Sequence, residues 1–142
     1  MQSLRALLQF TTILPLGKPA DYECFAKRSW LYPAAGYVTG GIAALPGLIA
    51  WYLGFENSAV IAAISLALAV FISGANHFDG LLDFGDGLMA HGSREKRIRA
   101  MTDRTTGAGA LALGIMVVLI SYSALSSMTV LQIAFAVFIA EI

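Results

Sequence analysis

Three aspartates, Asp79, Asp83 and Asp86, follow one another at spacings of four and three residues in the stretch HFDGLLDFGDGL. On an α-helix these spacings place the three carboxylates within about 60° of one another, and Asn76 lies on the same face. Like charges this close destabilise a helix unless positive charge compensates them. Carboxylates are ligands of Mg²⁺, which often also binds substrate phosphates. The spacing therefore predicts that these aspartates form a Mg²⁺ site. The same three aspartates would also be catalytic residues.

An ordinary solvated acidic face is the alternative interpretation of these aspartates. It is weakened because the segment directly follows an apolar run long enough to enter a membrane. Gly80 and Gly87, seven residues apart, also leave one strip of the same helix without side chains. We expect that strip to admit another backbone or a substrate.

A basic connection follows the aspartates and contains Arg94, Lys96, Arg97 and Arg99. Membrane topology and anionic lipid are sufficient to explain these four residues. Asp103, Arg104 and the entry into a new helix near Gly107 are more informative, because a helix N-terminus beside an arginine binds anions. We expect a diphosphate to bind between the aspartates and the segment that runs from Asp103 and Arg104 to the start of this helix.

Two histidines, His77 and His91, flank the aspartate helix. Either could serve as a general base, and His77 is the candidate nearer to the carboxylates. The alternative is a histidine that only forms structural hydrogen bonds at a membrane interface. The sequence does not distinguish the two.

The composition indicates an integral membrane protein, with 58% hydrophobic residues and a mean hydropathy of +0.73. Nine basic and nine acidic residues balance, so no overall positive field favours nucleic acid, and we expect no nucleic-acid partner. Cys24 is the only cysteine, which excludes an internal disulfide. The sequence does not distinguish a monomer from a homo-oligomer.

Long uncharged runs predict an all-α fold, a polytopic integral membrane helical bundle with about four spans. The chain reads as a single membrane domain over residues 1–142, a fragment of a longer chain, with the aspartate motif and basic loop at 76–104. Gly36 and Gly40 form a small-xxx-small face for helix packing. The predicted segments are an amphipathic or re-entrant stretch at 4–14 and spans at 29–55, at 59–75 continuing into the aspartate helix, near 107–125, and from about 129 to a truncated end, with a turn in the Ser/Thr cluster at 121–129.

The basic residues also predict orientation, because all of them precede the first span or lie between the second and the third. By the positive-inside rule, the N-terminus and the aspartate segment face the cytoplasm. We therefore expect a multi-pass protein of the cell membrane whose active site is on the cytoplasmic side.

Four stretches resemble one known family. HFDGLLDFGDGL is similar to the three-aspartate signature of cobalamin synthase, the adenosylcobinamide-GDP ribazoletransferase. RAMTDRTTGAGALALG resembles the Asp-x-x-x-Gly-x-Gly segment that follows in that family, and FTTILPL and YPAAGYVTGG resemble its N-terminal part. The family commonly has an arginine two residues after the aspartate of the second segment, where this chain has Thr105 and places Arg104 one position earlier.

The resemblance implies an enzyme that joins adenosylcobinamide-GDP to α-ribazole or its 5′-phosphate and releases GMP, with Mg²⁺. It implies metal and phosphate roles for Asp79, Asp83 and Asp86, and a further polar contribution from Asp103. Family members are longer, so spans that contribute to the pocket would follow residue 142. The substrates and the lipid bilayer would be the partners.

Two rival functions remain open from the residues alone. A CDP-alcohol phosphotransferase also carries glycines and aspartates on a membrane helix, but with a wider spacing and an Ala-Arg pair that this chain lacks. A cation transporter would use the same carboxylates as ion ligands near the middle of the membrane, on discontinuous helices.

Overall fold

The computed structural model describes residues 2–20, 23 and 29–142, and in these residues all regular structure is helical. Cys24, Lys27 and Arg28, on which part of the sequence argument rests, lie outside the described residues. The helices are α1 (Gln2–Thr11), a 3-10 turn (Ser29–Leu31), α2 (Tyr32–Leu53), α3 (Ser58–Ile72), α4 (Asn76–Met89), α5 (Arg94–Met101), α6 (Ala108–Ser126) and α7 (Val130–Glu141). The all-α prediction is confirmed.

Helix lengths agree with a membrane protein. Helices α2 and α6 are long and apolar enough to cross a bilayer, and α3 with α4 make a third candidate if the bent pair counts as one span. Helix α7 is apolar but has only 12 residues. The predicted spans near 29–55 and 107–125 thus correspond to helices α2 and α6, and the predicted turn lies at residues 127–129, where Thr129 and Gln132 form a capping box.

Helices α2 and α7 pack closely because glycines on α2 remove the side chains between them. A Cβ atom placed on Gly40 would lie 2.8 Å from the Phe138 carbonyl oxygen, and one on Gly47 would lie 2.6 Å from that of Val130. Gly36 contacts the Glu141 backbone in the same way. The predicted packing face of Gly36 and Gly40 is confirmed, and Gly47 extends it.

Helix α3 does not continue straight into the aspartate helix, which corrects the prediction of one continuous helix. The two helices meet at an angle of 91° across Ser73, Gly74 and Ala75. Gly74 and Ala75 both adopt left-handed backbone conformations, with φ of 62° and 59°. Since a right-handed helix cannot pass through such residues, α3 ends there and α4 starts in a new direction.

The segment after α1 is hydrogen-bonded to the end of α3, at this break. The backbone N–H of Ile13 donates a hydrogen bond of 2.9 Å to the carbonyl oxygen of Ile72, at the C-terminal end of α3. In α1 itself, Leu7 and Leu8 are buried whereas Leu4 and Arg5 are exposed. The predicted amphipathic character of this segment is therefore confirmed, and its place at a membrane interface stays a prediction.

Candidate active site

The three aspartates of α4 line one cavity of about 330 Å³. They lie on one face because their spacing matches the helical repeat, as the sequence predicts. Asp79 is exposed, whereas Asp83 and Asp86 are half-buried. Leu82 of α4 also lines the cavity. The end of α5, the loop that follows it and the start of α6 complete it, through Met101, Thr102, Asp103, Arg104, Thr105, Thr106 and Ala110.

The loop opposite the aspartates is held in shape by Asp103. Its carboxylate accepts hydrogen bonds from the backbone N–H of Thr105 at 3.0 Å and from the Thr105 hydroxyl at 2.9 Å. These bonds, the backbone one foremost, lower the pKa of the Asp103 carboxyl. Arg104 is exposed and lines the same cavity. Asp103 and Arg104 thus line the same cavity as the three aspartates, and their contact with a diphosphate stays a prediction.

Asp86 differs from its two neighbours because both of its carboxylate oxygens are engaged. The Gly107 N–H donates to Oδ2 at 2.8 Å, and the Ala110 N–H donates to Oδ1 at 2.8 Å. Gly107 is the residue before the first turn of α6. The α6 N-terminus is thus an anion site, as expected, but two of its N–H groups bind a carboxylate of the chain itself and not a diphosphate.

The glycines of this region have different surroundings. A Cβ on Gly87 would overlap the Met101 side chain, so this glycine makes room for α5. Gly80 is exposed, with nothing within 4 Å of such an atom. Sequence reasoning missed Gly85, which packs directly on Gly109 of α6: a Cβ there would lie 2.7 Å from the Gly109 carbonyl oxygen. The glycine content of both helices was the available signal.

His77 and Asn76 do not line the cavity of the aspartates. His77 lines a separate cavity of about 260 Å³ together with residues of α1, α2 and α7, including Glu141. The reason is geometric, because on a helix His77 points roughly 160 to 180° away from Asp79 and Asp86. Asn76 starts α4 and is exposed. The structure therefore separates His77 from the carboxylates with which the sequence grouped it.

The basic connection forms helix α5, in which no residue is buried. Arg94, Lys96, Arg97 and Arg99 are all exposed, and none of them lines the cavity. Only the C-terminal end of α5 reaches the site, through Met101. A role in topology or lipid contact suffices for the four basic side chains.

The carboxylates of Asp79 and Asp83 form a donor set that suits Mg²⁺. In the described part of the chain no group of three or more His, Cys, Asp or Glu side chains is arranged to hold a metal. Mg²⁺ in phosphate-transferring sites, however, commonly takes one or two carboxylates and completes its shell with water and substrate oxygens. Two carboxylates facing a polar cavity meet that requirement.

Comparison with known proteins matches residues 3–142 to cobalamin-5-phosphate synthase. The chain belongs to that family. Within the family, the chain is 37% identical over 122 residues to an adenosylcobinamide-GDP ribazoletransferase of Methanosarcina mazei, covering 83% of this chain and 42% of the relative. A Deinococcus radiodurans relative of the same name is 38% identical over 129 residues, covering 89% and 46%.

A third relative of that name, from Methanocella arvoryzae, is 39% identical over 112 residues, covering 78% of this chain and 41% of the relative. The chain thus spans less than half the length of these family members. No solved structure matches the chain. Family membership confirms the resemblance seen in the sequence, and the apolar helices agree with a membrane protein.

Proposed function

We propose that the complete protein joins adenosylcobinamide-GDP to α-ribazole or its 5′-phosphate and releases GMP. The observation that carries the proposal is the polar cavity between the aspartates of α4 and the Asp103–Arg104 loop. Its volume of about 330 Å³ lies at the lower end of the roughly 300–1,000 Å³ of ligand sites. It can accommodate a reacting diphosphate, and the corrinoid ring would extend beyond it.

The carboxylates of Asp79 and Asp83 are the proposed Mg²⁺ ligands, because no hydrogen bond within the described residues engages either side chain. Bound Mg²⁺ would neutralise the diphosphate and stabilise GMP as the leaving group. Arg104, on the opposite wall, supplies a positive charge to the same phosphates. The two walls together would orient the diphosphate for in-line displacement.

In the proposed reaction a ribazole hydroxyl oxygen attacks the phosphorus that is bonded to the corrinoid side chain. A new phosphorus–oxygen bond forms, and the bond to GMP breaks with its electron pair leaving on GMP. The hydroxyl proton passes to an oxygen of the Asp79 or Asp83 carboxylate that would not hold the metal. His77 is not assigned this role, because it lines another cavity.

Charge distribution supports a cytoplasmic site in the cell membrane. The described basic residues of α5 and Arg104 lie beside the cavity on one connection between apolar helices. No basic residue occurs in the connections at residues 54–57 and 127–129. By the positive-inside rule, the side of the membrane that carries the basic residues of α5 and Arg104 is cytoplasmic.

A cation transporter is the rival that the break between α3 and α4 favours, since transporters often use discontinuous helices. Family membership argues against it. A phosphotransferase of the CDP-alcohol type is disfavoured on the same ground.

The decisive test uses the complete gene product in membrane vesicles with adenosylcobinamide-GDP and ribazole. We expect Mg²⁺-dependent release of GMP that requires ribazole. Asp83→Asn should lower turnover roughly 10²- to 10³-fold, as for other losses of a charge-stabilising group, and shift the Mg²⁺ titration upward. Lys96→Gln is the matched control and should change turnover only slightly, because Lys96 does not line the cavity. Near-normal turnover and an unchanged Mg²⁺ titration in Asp83→Asn would reject the metal site.

A further inference from the structure

We infer that Asp86 is a positioning residue, which caps helix α6 and thereby fixes the second wall of the cavity, and is not a metal ligand. The inference deepens the proposed function and rests on it for the identity of the reaction. It concerns the one aspartate whose two carboxylate oxygens each accept a backbone hydrogen bond.

The contact has the chemistry of a helix N-cap supplied by a different helix. The donors are Gly107, directly before α6, and Ala110, the third residue of its first turn. An N-cap side chain ordinarily accepts from the second or third residue of the helix, and Gly107 has no side chain to do so. Asp86, more than twenty residues earlier in the chain, takes its place.

Gly107 is required for space and not for conformation. Its φ of −90° and ψ of 177° are accessible to any residue. A Cβ atom at this position, however, would overlap the Asp86 carboxylate. Directly beside the cap, Gly85 (next to Asp86) and Gly109 (next to Ala110) bring the two backbones into contact, with a Cβ on Gly109 lying 2.5 Å from the Gly85 carbonyl oxygen. The cap and the glycine contact together attach the start of α6 to α4.

This attachment determines where the opposite wall lies. Residues Asp103 to Thr106 lead directly into Gly107, so the position of Gly107 limits where Arg104 and Thr105 can be. The cap also explains how three neighbouring carboxylates coexist. The partial positive charge of a helix N-terminus, about half an elementary charge, compensates Asp86 and leaves Asp79 and Asp83 as the pair that needs a cation.

The test compares Asp86→Asn with Asp83→Asn in the complete protein, reconstituted in nanodiscs, by amide hydrogen exchange and by Mn²⁺ binding. Asparagine has one acceptor oxygen, so one of the two N–H groups loses its partner. We expect exchange at one or both of Gly107 and Ala110 to quicken at least tenfold in Asp86→Asn, and exchange at both to stay at the wild-type rate in Asp83→Asn. Mn²⁺ affinity should stay within about twofold in Asp86→Asn and fall at least tenfold in Asp83→Asn.

Each outcome is decisive for the cap. Unchanged exchange in Asp86→Asn overturns it, whatever the metal result. Faster exchange accompanied by a tenfold loss of Mn²⁺ affinity makes Asp86 a ligand and overturns the assignment as a positioning residue only. Faster exchange with no effect of either variant on Mn²⁺ supports the cap and removes the metal site from the proposed function.

Two further measurements separate positioning from general damage. If Asp86→Asn does not fold, Gly107→Ala tests the same contact, because its methyl group displaces the carboxylate without removing it. It should quicken exchange at Ala110 and retain Mn²⁺ binding, and unchanged exchange would overturn the cap. In turnover assays Asp86→Asn should raise the KM for the diphosphate substrate while the Mg²⁺ half-saturation stays within about twofold. A shifted Mg²⁺ half-saturation would contradict the assignment.

Discussion

At the scale of single residues, four aspartates around one cavity have different hydrogen-bonding environments. Asp103 and Asp86 use their carboxylates to hold backbone N–H groups. Asp79 and Asp83 accept no such bond within the described residues and face the cavity. A carboxylate already satisfied by two N–H groups has fewer lone pairs for a metal. Hydrogen bonding therefore separates the aspartates that hold the fold from those whose carboxylates stay open to the cavity more clearly than spacing does.

The Asp103 turn has a pH dependence that can be measured. The Thr105 backbone and hydroxyl bonds lower the pKa of Asp103, so its carboxylate contributes stability above the pKa of the unfolded chain. That contribution is lost as the pH falls through the lower folded value. We expect the ¹³C carboxyl resonance of Asp103, assigned by its loss in Asp103→Asn, to titrate with a midpoint below 3.8. A midpoint at or above that value would show that the turn does not form.

At the scale of helices, the glycines of α4 decide how closely its neighbours approach. Gly85 contacts the α6 backbone, whereas Gly80 meets nothing. An alanine in a helix gains about 0.5–1 kcal/mol over glycine from propensity alone, whereas overpacking typically costs about 1–3 kcal/mol. The two glycines therefore respond to the same substitution in opposite directions.

We expect Gly85→Ala to lower the thermal unfolding temperature in detergent and Gly80→Ala to leave it unchanged or raise it. The two sites lie in the same helix and receive the same methyl group, so each controls for the other. Differential scanning fluorimetry on both variants provides the measurement. Equal shifts for the two variants would show that α4 and α6 do not touch at Gly85.

Much of this arrangement could be predicted from sequence, because helix periodicity is local. The common face of Asp79, Asp83 and Asp86 and the packing face of Gly36 and Gly40 follow from spacing alone. The 91° break between α3 and α4 did not follow from the sequence, because an alanine such as Ala75 does not indicate a left-handed backbone conformation. The Asp86 cap depends on the tertiary approach of α6, which no local pattern encodes. His77 was grouped with the aspartates by sequence proximity, although helix geometry opposes it.

At the scale of the whole molecule, the helices have a charge asymmetry that predicts their orientation. The exposed basic residues of α5 lie on one connection, and the short connection that contains Asn57 carries none. A basic segment is retained on the cytoplasmic side during insertion. The cavity, which adjoins α5, should lie on that side as well.

Cysteine accessibility tests this orientation. A cysteine introduced at Ser93 should react with a membrane-impermeant reagent only from the cytoplasmic side, and one at Asn57 only from the outside. Both positions are exposed and directly precede a helix, so burial would not explain a failure to react. Each is made with Cys24 replaced by serine. Reaction of both from the same side would exclude the proposed topology.

The hydrogen bond from Ile13 to Ile72 has a consequence for how the protein is made and handled. The donor is synthesised long before its acceptor, so this hydrogen bond can form only after α3 is complete. A purification tag that pulls on this segment, or a deletion that removes it, would leave the Ile72 carbonyl without its partner, at a cost of about 1–3 kcal/mol. Because Ile72 directly precedes the break, losing this hydrogen bond would alter the direction in which helix α4 leaves α3. A tag fused next to α1 is therefore expected to disturb the aspartate helix.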